Sequence, residues 1–454
     1  MTVLAPEWTW IPRAPGGERT GEEAGASRGW SLEIGPMGDI VGLFPPDRQP
    51  PDAILLPGRL IVPGLVNAHS HAFQRAFRGQ VQWRPAGHDD FWSWRDRMYA
   101  VANSLTPEGI EAVSALCFLE MAESGITRVG EFHYVHRQPD GMPYTDPDEL
   151  ARRVIAAARR VGIRITLLRV AYAVGGIGRP LRDDQRRFGD PDPQDVLRAV
   201  ERLGAIADPG VTVGLAPHSV RAAGPDYLRE LSAWRGVVHA HVSEQVAEND
   251  ACQQAFGMSP LAVLERAGLV SERFSAVHLT HPMPGDIDRL AAAGGAIVVC
   301  PSTELDLGDG FLPVEARLRS RMCLGSDSHA SIDLWAEARS LELHARALAG
   351  RRNVLSPEGS RHGLAATLLR AATVEGDRSL GGAGQGIAIG APADLVVLDL
   401  RRPAALGVPP LEAAVFGATP EWVEEVWVAG RRIVAAGRHP DRDAIMREAA
   451  PYLG

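Results

Sequence analysis

The sequence predicts an α/β chain, a (β/α)8 TIM-like barrel with a small β-sandwich domain built from both termini. Three observations carry this. Eight apolar, strand-like runs alternate with helical segments from about residue 60 to about residue 380. Most of these runs end in histidine, glutamate or aspartate, at the face where a barrel gathers its chemistry. Both ends of the chain carry further short strand-like runs. An open doubly wound sheet is the alternative, but it would not bring the ends of the first and eighth strands together.

Residues 1–60 are rich in Gly, Pro and Glu, with strand-like pieces at 30–34 and 40–44, and read as the N-terminal part of the small domain. The barrel is expected over 61–384 and the C-terminal part of the small domain over 385–454. Leu60-Ile61-Val62 passes through Pro63-Gly64 into Leu65-Val66 and ends in His69-Ser70-His71, the first barrel strand. Phe91-Trp92-Ser93-Trp94-Arg95 reads as an aromatic loop, long enough to fold over a pocket. Thr106-Pro107-Glu108 starts a helix, with a capping hydroxyl and proline at the first position. That helix runs to Ser124-Gly125. Strands are then expected at 126–134, 163–172, 211–218, 237–244, 274–281, 296–302 and 322–329, with helices at 146–161, 193–206, 225–234, 260–267 and 286–293 between them. Further helices run to about Leu380, and strands return at 394–399 and 426–434.

Composition narrows the function. The chain has 454 residues, enough for a large core, with 45% apolar and 23% charged residues, the balance of a globular protein. A formal charge of −9 argues against a nucleic-acid or anionic-membrane partner, while leaving room for a local basic pocket. Cys117, Cys252, Cys300 and Cys323 are scattered, as buried thiols in a reducing compartment would be. The first twenty residues lack the charged and apolar regions of a signal peptide, and the apolar run 291–300 is half the length of a membrane span. A cytoplasmic protein is expected. There is no lysine: all 47 basic residues are arginine. That excludes Schiff-base lysine chemistry, pyridoxal phosphate attachment and a Walker-type phosphate loop.

The strand ends read His69/His71, Glu131/His133/Tyr134, His218, His241/Glu244, His278/His281 and Asp327/His329. Residues two apart on a strand share a face, so His69 and His71 project side by side and can grip one divalent metal. A lone histidine at a strand end is more often a hydrogen-bonded structural residue. A whole series of strands ending this way points instead to a site.

In that order and on those strands, PGLVNAHSH, HVSE, VHLTH and LGSDSH resemble the metal-dependent amidohydrolase superfamily, in its deaminase branch. GAPADLVVLD resembles the strand by which that superfamily's tail returns to its small domain. Within the branch, NAHSHAFQRAFRG, FWSWRDRMY, GEFHYVH and APHSVRA resemble the formimidoylglutamate deiminases of histidine degradation. The resemblance implies metal ligation by His69, His71, His241 and Asp327. His241 is preferred to His239 because the His-x-x-Glu pattern then makes Glu244 its partner. It also implies His278, rather than His281, as the catalytic histidine of the sixth strand, leaving His281 and His329 as supporting residues. Binuclear members bridge two metals with a carboxylated lysine, which this chain cannot supply. One divalent metal per chain is therefore expected, Zn²⁺ from the N/O donor set with Fe²⁺ the alternative.

The implied reaction is hydrolysis of N-formimino-L-glutamate to N-formyl-L-glutamate and ammonia. Asp327 would take the water proton, His278 would stabilise the adduct and Glu244 would protonate the leaving nitrogen. A dicarboxylic amidine calls for arginines, since a guanidinium holds a carboxylate with two parallel bonds. Arg95 and Arg221 are the candidates, with Tyr134 and His218 beside them and Gln74 near the metal. A homodimer is implied by the resemblance. The competing readings are a guanine deaminase or imidazolonepropionase type of activity, or a non-catalytic barrel acting in protein interaction. The last would be expected to have lost metal ligands that this chain keeps.

Overall fold

Eight parallel strands pair in chain order: Leu65–Ser70, Ile126–His133, Arg164–Ala171, Val211–Pro217, Val238–Val242, Phe274–His278, Ala296–Val299 and Arg321–Leu324. The computed structural model describes residues 1–12, 25–83, 91–206 and 208–453. A bridge between Ser70 and Asp327 joins the first strand to the end of the eighth. The result is a nearly closed barrel, not an open sheet. Its strands read as apolar runs because helices and barrel interior cover both faces; every residue of the first two strands is buried.

The helices between them start where the sequence supplies a cap. Thr106 accepts from the Gly109 N–H (3.1 Å) at the head of Pro107–Glu123. Asp192 and Ser259 do the same for Pro193–Gly204 and Pro260–Arg266, each with proline at the first position.

Both termini contribute to a separate mixed sheet. Its order is Arg431–Ala435, Val423–Val428, Leu395–Asp399, Ile54–Pro63, Thr2–Thr9, Ser31–Ile34 and Ile40–Phe44, with Ser27–Arg28 beside Thr2–Thr9. Leu4, Leu32, Ile40, Ile61, Leu395 and Val397 form a core of their own there. No described helix is long and apolar enough to cross a membrane.

Several segments differ from expectation, for identifiable reasons. Phe91–Ser104 is a helix, not an aromatic loop. It lacks Gly and Pro, so nothing in it interrupts helical hydrogen bonding, and Trp94 packs on Phe77 with ring centroids 5.9 Å apart. Leu60-Ile61-Val62 leads into the histidine strand but is not part of it: it lies in Ile54–Pro63, paired with Leu395–Asp399 in the terminal sheet. The strand expected over 296–302 stops at Val299, because Pro301 begins the helix Pro301–Asp306. The single run 426–434 is a hairpin. Ala429 (φ 44°) and Gly430 (φ 73°) both adopt the left-handed conformation of a two-residue turn.

Candidate active site

Four histidines and an aspartate meet at the C-terminal mouth of the barrel. His69 Nε2 lies 3.2 Å from Asp327 Oδ1 and 3.2 Å from His241 Nε2, and His71 Nε2 lies 3.1 Å from the same Oδ1. Ligands about 2.0–2.2 Å from a tetrahedral ion stand about 3.3–3.6 Å apart, so these separations are close to the edges of a coordination shell. His71 Nδ1 donates to the Phe132 carbonyl (3.0 Å) and His241 Nδ1 to the His218 carbonyl (3.0 Å). Each bond fixes the tautomer and leaves an Nε2 lone pair for the shared point. The donor set fits one divalent metal.

His278 joins the group more loosely. One donor atom from each of His69, His241, His278 and Asp327 falls within 4.8 Å of the others. Its Nε2 stands 3.8 Å from Asp327 Oδ2 and 3.7 Å from Glu244 Oε1, buried and without a hydrogen-bond partner among the described residues. His71 Nε2 is closer to an Asp327 oxygen (3.1 Å) than His278 Nε2 is (3.8 Å). His278 Nδ1 faces Glu304 Oε1 at 3.4 Å.

Electrostatics separate the roles. Burial pushes His69 down to about 3, keeping it neutral. Burial would raise Asp327, but hydrogen bonds from His69 and His71 hold it well below the usual carboxylate range. Burial also works against a charge on His278, yet the Glu304 bond and the Glu244 and Asp327 carboxylates hold it up at about 10.

The backbone bends to make this floor. His278 (φ 68°) and Asp327 (φ 46°) are both left-handed, a conformation kept in non-glycine residues where surrounding structure enforces it. Gly325 lets the eighth strand approach the first: a Cβ there would lie 2.8 Å from His69 Cβ and 2.9 Å from Cys300 Sγ. Beneath, Glu131 accepts from Ser70 Oγ (2.5 Å) and the Ala72 N–H (2.8 Å). Ser70 Oγ also meets His329 Nε2 (3.2 Å), and His329 Nδ1 meets Ser326 Oγ (3.0 Å). His329 thus ties the first strand to the segment carrying Asp327. His281 and His239 donate to the Asp309 (2.8 Å) and Ser379 (2.9 Å) carbonyls.

Above the floor lies a cavity of about 260 Å³, lined in part by Gln74, Arg95, Tyr134, His218, Arg221 and Glu244. Gln74 Nε2 donates to the Tyr134 hydroxyl (2.8 Å), leaving Gln74 Oε1 buried without a partner among the described residues. The His218 ring sits 4.8 Å from that of His241. Arg221 Nη2 donates to Glu244 Oε2 (2.9 Å), and its Nε lies 3.7 Å from Glu248 Oε1. Burial opposes its charge, but Glu248 and Glu244 hold the guanidinium above its ordinary range. Arg95 reaches the cavity from the helix Phe91–Ser104, with its guanidinium 5.6 Å from the Tyr99 ring.

The residues named as metal ligands, catalytic groups or substrate contacts thus reach this cavity or its floor, whereas His133, His239 and His281 do not line it. Glu248, Glu304, Tyr99 and Tyr172 were not singled out. Glu248 stands four residues past Glu244, in the first turn of the helix Val246–Phe256; Glu304 had no strand-end position to mark it.

Residues 60–433 match the amidohydrolase family profile. A formimidoylglutamate deiminase from Pseudomonas aeruginosa is 37% identical over 447 residues, 95% of this chain and 98% of that protein. The crystal structure of an amidohydrolase from Brucella melitensis superposes with a TM-score of 0.91 at 35% identity, covering 100% of this chain and 99% of the other. An adenosine deaminase from Xanthomonas campestris, solved with bound zinc, shares the fold at a TM-score of 0.80 and 24% identity, over 99% and 97% of the two chains. The profile spans the whole barrel and all the strand ends described above, and the chain belongs to the amidohydrolase family.

Proposed function

We propose that the chain hydrolyses N-formimino-L-glutamate to N-formyl-L-glutamate and ammonia. The observation that carries the reading is one cavity with a histidine–aspartate floor and two arginines, Arg95 and Arg221, on its wall. Two cationic contacts suit a dicarboxylate, although the same wall also carries tyrosine rings and an amide. The identity to the Pseudomonas aeruginosa deiminase over nearly the whole chain supports the same substrate.

His69, His71, His241 and Asp327 would hold the metal, Zn²⁺ by the chemistry of three imidazoles and a carboxylate, with Fe²⁺ the alternative. When bound, it supplies a positive charge that makes water acidic near neutral pH. Asp327 Oδ2, the oxygen turned toward His278, accepts the proton of the attacking water. The new C–O bond forms at the formimino C=N carbon. His278 Nε2, without a partner among the described residues, donates to the oxygen of the tetrahedral adduct. Glu244, 3.7 Å from His278, relays the two protons of the water, first from Asp327 and then from the adduct hydroxyl, to the terminal nitrogen. The C–N bond to that nitrogen breaks, and it leaves as ammonia.

The test is ammonia release on a small panel, namely formiminoglutamate, formiminoglycine, guanine and imidazolonepropionate, before and after chelation. Formiminoglutamate is expected to be turned over fastest, and only with metal present. Faster guanine or imidazolonepropionate turnover would replace the substrate assignment; no turnover of any member would remove the enzymatic reading.

A further inference from the structure

Between Arg95 and Arg221 the cavity wall carries two tyrosines that the mechanism above does not use. Tyr99 comes from the helix Phe91–Ser104, and Tyr172 immediately follows the third barrel strand. Both are buried, at 3% and 5% exposure, yet both line the cavity. Their hydroxyls are 3.1 Å apart, and each lies 3.1 Å from Gln185 Nε2. Gln185 is fully buried, and its Oε1 accepts from the Arg182 N–H (2.9 Å). That bond fixes the amide's orientation, so only its N–H donors face the tyrosines.

The protons can then be counted. Gln185 supplies two N–H groups, one to each phenolic oxygen. One phenol donates to the other. One O–H remains, with no acceptor among the described residues. It sits on a wall flanked by two guanidinium groups, so the acceptor it suits is an anion.

The choice between the two tyrosines follows from their surroundings. Arg95 and Arg182 both lie against the Tyr99 ring, at 5.6 and 5.3 Å. Tyr172 stands nearer the floor, its ring 4.9 Å from that of His218, and the charges of both Arg95 and Arg221 bear on it. With Tyr99 as the donor of their shared bond, which the geometry allows in either direction, the Tyr172 O–H is left for the cavity.

We propose that the Tyr172 hydroxyl, oriented by Gln185 and Tyr99, is a specificity-determining donor that binds a substrate carboxylate oxygen alongside Arg95. This deepens the dicarboxylate reading above and rests on it for the identity of the substrate. A hydrogen bond to a charged group accounts for roughly 10- to 100-fold in affinity.

The experiment compares the zinc-loaded chain with Tyr172→Phe and Tyr99→Phe. It measures glutarate binding by calorimetry and KM and kcat for N-formimino-L-glutamate. Tyr172→Phe is expected to weaken glutarate and raise KM about 10- to 100-fold, with kcat within about threefold of the unaltered chain. Tyr99→Phe leaves Tyr172 bonded to Gln185 and is expected to lose less than about threefold. Adding glutarate to the unaltered chain should also give a tyrosine ultraviolet difference spectrum, a readout that needs no variant to fold. Failure of the unaltered chain to bind glutarate, unchanged binding in Tyr172→Phe, or a larger loss in Tyr99→Phe overturns the proposal. Glutarate binding requires no turnover. Tyr172-dependent binding without deimination of formiminoglutamate would sink the reaction assigned above and leave this inference standing.

Discussion

The floor and the wall of the cavity are built by different means. His69, His71, His241, His278 and Asp327 project from strand ends, so the barrel's backbone ladder sets their positions. The wall is only partly built this way: Tyr134, Tyr172 and His218 follow directly on barrel strands, but its other groups do not. Arg95 and Tyr99 stand on a helix, Arg221 is held by Glu244 and Glu248, and Gln185 lies in the short helical turn Asp183–Phe188. Side chains there are positioned by other side chains. Chemistry is thus tied to the fold, while specificity rests on contacts that can change without disturbing the barrel.

The largest effect is expected from striking the floor. Asp327→Asn removes both a ligand and the proposed base, and should cost roughly 10⁴-fold in turnover, with metal lost on dialysis. A variant retaining both metal and activity would detach Asp327 from the floor. Glu244→Gln keeps the ligands and should lower kcat by roughly 10²-fold or more, checked by ammonia release and metal content together. Near-full activity would place the proton shuttle elsewhere.

Wall variants should act by substrate. Arg95→Met and Arg221→Met are each expected to lose about 30- to 1000-fold in kcat/KM for formiminoglutamate, roughly 2–4 kcal/mol. Each should lose little on an analogue lacking the carboxylate it holds. The two should also differ from each other. Arg221→Met strands Glu244 and Glu248 without their counter-charge, so its kcat should fall too, whereas Arg95→Met should register mainly in KM. Equal losses on full and truncated substrates would dissolve the distinction between floor and wall. The smallest effect is expected from Gly325→Ala, at about 1–3 kcal/mol of stability, because the added methyl meets His69 and Cys300. Thermal unfolding measures it; an unchanged Tm would show that the strands can move apart there.

The same contrast explains what the sequence could reveal. Strand-borne residues were legible because period-two spacing and an apolar run place them on one face at one end. His69 with His71 announced themselves this way, whereas the pairing of His241 with Glu244 and the role of Asp327 came from the resemblance of HVSE and LGSDSH to the superfamily. The helical state of Phe91–Ser104 was masked by its aromatic opening, which reads as a loop until the absence of Gly and Pro is weighed. Leu60-Ile61-Val62 belongs to another sheet because its partner, Leu395–Asp399, is more than 300 residues away, beyond any local pattern. Tyr172 and Gln185 gave no signal at all, since a shared amide between two phenols exists only once the third strand, the first helix and the turn at Asp183–Phe188 are packed together.

The most direct measurement is a product and metal analysis on N-formimino-L-glutamate with the purified chain. The predicted result is about one transition metal per chain, with N-formyl-L-glutamate and one ammonia formed for each substrate consumed. Turnover should stop on chelation and return when Zn²⁺ is restored. Formamide with glutamate as products, two metals both needed for activity, or turnover unaffected by chelation would contradict it.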